Sequence, residues 1–176
     1  MQDLSFRSLS ARASRRGVPA ADVRSLLRTE NGKYSNLALI LSDQCPWGVN
    51  VYCGGRPFGS YRGSAVELVG EAERLLIAAR RSLSRDGRPA RFPLMAFHEI
   101  MLNAVCHRSY CLGGDIEVDV EPAHVEVASP GPPEDMDPYL FMRTRNPALY
   151  AVLDELGLRD SSVRNQSDAV AVYSSC

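Results

Sequence analysis

Residues 93–133 read PLMAFHEIMLNAVCHRSYCLGGDIEVDVEPAHVEVASPGPP, and the period of the apolar residues changes halfway along. Phe97, Ile100, Met101, Ala104 and Val105 recur at steps of three and four, which predicts a helix from Pro93 to about His107 with one apolar side. Gly113-Gly114 turns the chain. Ile116, Val118 and Val120 then alternate with Asp115, Glu117, Asp119 and Glu121, and Val125-Glu126-Val127 returns after Pro122-Ala123. This is the pattern of a hairpin with one face buried and the other acidic and wet. Ser129-Pro130-Gly131-Pro132-Pro133 closes the unit as a stiff loop, because proline fixes φ and glycine permits positive φ. The expected fold class is α+β.

Working outward, residues 65–84 form the longest helical pattern, with Val66, Leu68, Val69, Ala72, Leu75, Leu76, Ala79 and Leu83 on one face. Arg85-Asp86-Gly87-Arg88-Pro89 ends it and is the best internal boundary. Upstream, Val49 to Cys53 alternates as a strand ended by Gly54-Gly55. Ser35 to Leu41 is strongly apolar but too short to type by periodicity. Pro19-Ala20-Ala21 suits a helix start, running to about Arg28. Residues 1–18 are rich in Ser and Arg and are expected to begin as a loose arm. Downstream, Asn146-Pro147 precedes a last helix, about Ala148 to Leu156, stopped by Gly157. Residues 161–176 are polar apart from Ala169–Tyr173.

The 176 residues are 45% apolar and 23% charged, a globular balance. The longest aliphatic run is Leu37–Leu41, far below the about 20 apolar residues of a membrane span, so an integral membrane protein is excluded. The N-terminus has no apolar core and does not read as a secretory signal. A net charge of -1 excludes a purely electrostatic nucleic-acid binder. The mean hides an asymmetry: residues 1–28 carry a balance of +4, and residues 115–160 one of -8. Solvated helix faces account for such a split, and so does steering of a polyanion to the basic end. Of the 20 basic residues only Lys33 is lysine, a bias of genomic base composition that also suits phosphate contacts. Cys45, Cys53, Cys106, Cys111 and Cys176 contain no C-x-x-C pair, which points to free thiols in a reduced, cytoplasmic protein. Cys106, His107 and Cys111, with His98 as a fourth, are too scattered to argue for zinc.

Chemistry concentrates on the helix. Glu99 and Asn103 lie one turn apart on its polar side, and His107 and Arg108 extend the same end. If that side lines a pocket, Asn103 Oδ1 is a hard oxygen ligand for Mg²⁺. Glu99 can then orient or deprotonate a water for attack on a terminal phosphate. His107 and Arg108 can meet phosphate oxygens, and Ser129-Pro130-Gly131 can let backbone approach a ligand base or sugar. The plain alternatives stay open: a solvated helix face, C-terminal charges that suit the helix dipole, and an ordinary turn.

Five segments in order resemble a bacterial group of transcriptional regulators. These join a Schlafen AlbA-type DNA-binding domain to a RecG-C-terminal-like, GHKL-type ATP-binding domain. The matching stretches are Tyr34 to Pro46 (YSNLALILSDQCP), Glu99 to Tyr110 (EIMLNAVCHRSY), Val125 to Gly131 (VEVASPG), Arg145-Asn146-Pro147, and Leu153 to Leu158 (LDELGL). The resemblance implies a partial AlbA-type segment and connecting helix over residues 1–86. An incomplete Bergerat-like α/β sandwich follows over residues 87–160, then a divergent, poorly ordered tail over 161–176. It implies Mg-ATP as the ligand, Glu99 as the catalytic base, Asn103 as the Mg²⁺ ligand, and His107, Arg108, Ser129 and Gly131 as nucleotide contacts.

Three departures accompany it. Ser109 replaces the Asp of H-R-D-Y, Pro132 replaces the second Gly of S-P-G-G, and no glycine-rich segment follows Leu158. That segment would supply backbone N–H groups to phosphates, so hydrolysis is the least expected activity. The expectations are therefore a truncated regulator module with a degenerate ATP site, or a remnant that serves as an interaction module without nucleotide. For DNA the candidates are Arg7, Arg12, Arg15 and Arg16. Sheet edges left open by truncation would favour self-association.

Overall fold

The computed structural model describes residues 3–84, 92–131 and 145–159. Among these are six helices and one four-stranded mixed sheet, an α+β fold. The helices are α1 (Arg7–Arg16), α2 (Ala20–Leu27), α3 (Asn36–Leu41), α4 (Ala65–Leu83), α5 (Leu94–His107) and α6 (Pro147–Glu155). The strands are β1 (Gly48–Cys53), β2 (Arg56–Arg62), β3 (Ile116–Val120) and β4 (Val125–Ala128). Their order is β2-β1-β3-β4. The two hairpins β1–β2 and β3–β4 are antiparallel, and they join through a parallel β1–β3 pair that sets Val51 beside Val118.

The sheet is therefore assembled from both sides of the boundary expected at residue 86. One face carries Val49, Val51, Ile116, Val118 and Val120, all buried. It packs under α4, whose Val69, Ala72, Leu76 and Ala79 are buried in the same core, and α5 packs beside α4 with Phe97, Met101 and Val105 inside. The opposite face holds the alternate positions Asn50, Tyr52, Glu117, Asp119 and Glu126. That is the acidic, wetter face expected of the hairpin.

Several elements differ from the sequence reading. Residues 7–16 are a helix rather than a loose arm. Only Leu9 and Ala13, one turn apart, are buried, so the pattern is legible only once the core receives them. Asp43 caps this helix from a distance, accepting from the Arg7 amide at 2.9 Å and the Ser8 amide at 3.2 Å. Ser35 to Leu41 resolves as α3, with the Ser35 hydroxyl accepting from the Ala38 amide. β2 was hidden by Pro57 and Gly59. Its register shifts opposite Val51 and Tyr52, and it lies at the sheet's edge, where proline is tolerated. Gly48 is required by close approach, because a Cβ there would collide with the Tyr61 carbonyl. The tail at 161–176 lies outside the described residues.

Candidate functional site

The expected site divides into a polar helix side and the groups at the end of that helix. α5 buries Phe97, Met101, Leu102, Val105 and Cys106, which leaves Glu99 and Asn103 on its outer side. Asn103 is exposed. Glu99 is half-buried, and its Oε1 is out of reach of water with no hydrogen-bond partner among the described residues. A buried carboxylate oxygen left unpaired is a group whose partner remains to be supplied.

At the end of α5 the structure brings two distant motifs together. The Ser129 hydroxyl donates to the Ala104 carbonyl at 3.0 Å, and the Ser109 amide donates to the Pro130 carbonyl at 2.8 Å. Gly131 lies against Ser109 and Arg145 with φ +155°. The bend is thus bonded onto the last turn of α5, at the same end of the molecule as His107, which is half-buried.

Arg108 is placed quite differently from an open phosphate ligand. It is 2% exposed. Its Nη2 donates to the Gly114 carbonyl at 2.8 Å, and its guanidinium lies over Tyr110 at 4.9 Å and Trp47 at 5.7 Å. The two rings meet edge to face with centroids 5.0 Å apart. Burial lowers the Arg108 pKa, and it pushes up those of Tyr110 and of the Cys45 thiol nearby. Two of its nitrogens, Nε and Nη1, are buried without a hydrogen-bond partner among the described residues.

The candidate DNA contacts also separate. Arg12 Nε donates to the Leu156 carbonyl and Arg12 Nη2 to the Gly157 carbonyl, each at 3.0 Å, and Arg16 Nη2 donates to Gly157 at 2.8 Å. Both cap the C-terminal end of α6, where the helix dipole favours positive charge. Burial and the neighbouring Arg16 and Arg15 lower the Arg12 pKa. Arg15 bonds the Ala11 carbonyl of its own helix and is exposed. Arg7 is exposed and lines a polar cleft of about 340 Å³ with Ser5, Asp43, Gln44, Tyr61 and Arg62. Burial raises the Asp43 pKa, but the Arg7 amide, the Ser5 hydroxyl and the Ser8 amide together hold it below the usual carboxylate range. Burial, with Glu67 and Glu71 nearby, pushes the Tyr61 hydroxyl up to about 12.

Sequence reasoning missed three positioning groups. Asn146 Nδ2 donates to the carbonyls of Cys106 at 2.8 Å and Arg108 at 3.0 Å, so the start of α6 caps the end of α5. Trp47 completes the arginine cage. His98, considered only as a metal ligand, holds Glu73 with Nδ1 and the Leu158 carbonyl with Nε2. Asn-Pro at a helix start signalled the first. Nothing local signals the other two, because their partners lie 25 or more residues away in the chain.

No protein-family model matches the chain, and no curated protein matches it. Among solved structures it is similar to the crystal structure of the DIP2311 protein from Corynebacterium diphtheriae. The TM-score is 0.65 at 20% identity, over 90% of this chain and 31% of that one. At that identity the likeness shows the fold alone, and the chain spans less than a third of that protein's length.

Proposed function

We propose that the chain is a module of a transcriptional regulator whose GHKL-like half holds Mg-ATP and does not hydrolyse it. The observation that carries this reading is Glu99 Oε1, buried without a partner, one helical turn from the exposed amide of Asn103. Asn103 would supply a ligand oxygen to a hydrated Mg²⁺, with the Glu99 carboxylate one turn away on the same side of α5. The ordered set of five segments supports the same assignment. Hydrolysis is not part of it, because Arg108, the expected phosphate contact, is engaged inside the fold.

A second reading, an interaction module without nucleotide, is favoured by the caging of Arg108 between Trp47 and Tyr110. Thermal shift separates the two. Millimolar Mg-ATP against a micromolar Kd stabilises the native state by about 4 kcal/mol. The first reading expects a shift that Asn103→Ala abolishes while leaving stability without ligand within about 0.5 kcal/mol, since the residue is exposed. No shift in the parent protein sinks the first reading in favour of the second.

DNA contact, in this reading, rests on Arg7 and Arg15, the two candidates whose side chains form no hydrogen bond to another element among the described residues. Binding that weakens steeply with salt, and less steeply after Arg7→Ala and Arg15→Ala, is the expected result. An unchanged salt slope removes both residues from the DNA interface.

A further inference from the structure

We propose that His98 is a pH-operated latch that fastens the turn after α6 to α4 and α5, closed in acid and released in mild alkali.

The geometry at the imidazole is unusual. Nδ1 lies 2.6 Å from Glu73 Oε1 on α4, and Nε2 lies 2.6 Å from the Leu158 carbonyl oxygen. A carboxylate and a carbonyl both accept and neither donates. A neutral imidazole carries one N–H and can satisfy only one of them, whereas the imidazolium satisfies both. The closed arrangement is therefore that of the protonated ring.

The turn is also held by its buried Leu156 and Leu158 and by the Gly157 and Leu158 amides, so the polar contacts to its carbonyls are the part that can change with pH. The three successive carbonyls of Leu156, Gly157 and Leu158 are met by Arg12, by Arg12 with Arg16, and by His98. The arginines stay charged throughout the neutral range, so His98 is the member of this set that titrates there. Deprotonation leaves the single proton on Nδ1, where the carboxylate is the stronger acceptor. The Nε2 lone pair then faces the lone pairs of the Leu158 oxygen, and the contact becomes repulsive.

The charges around the ring act in both directions. Glu73 on α4 and Glu99 beside it on α5 favour the cation. Arg12 and Arg16 reach the same turn from α1, and as like charges they would act against it. Arg159 follows Leu158 but stacks its guanidinium on Tyr150 at 4.5 Å. The result is a His98 pKa raised by the Glu73 hydrogen bond above its ordinary value, against the opposing effect of burial. A pKa raised in the closed state means that the latch is fully engaged below the ordinary histidine value of about 6.5. Its contribution is lost as pH rises through the raised value.

Hydrogen exchange on the full chain, with imidazole titration by NMR, tests this. The reporters are the amides of Gly157 and Leu158, which donate to Asp154 and Leu153. Between pH 5.5 and 8.5, after correction for the intrinsic exchange rate, their protection should fall about tenfold for each unit by which the His98 pKa exceeds 6.5. Amides in the middle of α4 should keep theirs. In His98→Gln that pH dependence should vanish. In Glu73→Gln, which retains the imidazole, release should move to lower pH. Protection of the turn that is independent of pH in the parent protein overturns the latch. So does the same pH dependence in His98→Gln, or an NMR pKa for His98 below 6.5.

Discussion

The Ser129 hydroxyl donates to the Ala104 carbonyl at 3.0 Å, across 25 residues of chain. With the Ser109–Pro130 bond beside it, this joins the bend that ends the hairpin to the last turn of α5. The bend and the helix end are thus one rigid unit, held by a side chain whose sequence context reads only as a turn.

Ser129→Ala removes that donor and leaves a partly buried carbonyl less well satisfied. A loss of about 1 kcal/mol is expected. In thermal unfolding this should appear as a lower Tm by roughly 3 °C for a domain of this size. An unchanged Tm would mean that the bend is not held by this bond.

Arg108→Ala empties the space between the two rings and strips the Gly114 carbonyl of its donor. A destabilisation of about 2 kcal/mol or more is expected from lost packing and cation–π contact. The chain's single tryptophan, Trp47, reports the change directly, since its emission should move to the red as water reaches the ring. Native stability with unshifted emission would argue that Arg108 is free for a ligand.

Gly157→Ala meets two obstacles. The residue has φ +63°, and an added Cβ would collide with the Arg16 guanidinium. Arg16 can swing away, but only by giving up its bond to the Gly157 carbonyl. A cost of about 1–3 kcal/mol is expected by urea unfolding. Arg16→Ala in the same background should recover part of it, and full additivity of the two losses would count against this contact.

Thiol reactivity should follow burial. Burial pushes the Cys106 thiol up to about 12, while Cys111 is exposed. The thiolate is the reacting form, so iodoacetamide at pH 8 should modify Cys111 first and reach Cys106 only on unfolding. Mass spectrometry of digested, briefly labelled protein checks the order, and early labelling of Cys106 would contradict the packed end of α5.

The helices with long or clean periods, α4 and α5, and the alternating strands β1, β3 and β4 were legible because their apolar residues repeat locally. α1 was not, since two buried residues among arginines and serines look like a solvated arm. β2 was not, because proline and glycine conceal a strand that survives only as an edge. For the site, the sequence located Glu99, Asn103 and the Ser129–Gly131 bend on chemistry-bearing elements. It could not tell that Arg12 and Arg16 cap α6, or that Arg108 turns inward.

Residue periodicity determined the main helices and the acidic outer face of the hairpin, because each depends on neighbours within a few positions. Tertiary structure decided which charged groups remain available. Arg108 sits in a cage closed by Trp47, and His98 joins Glu73 to Leu158. Whether a cation meets solvent, a ligand or a carbonyl depends on segments tens of residues away, and no local pattern carries that information.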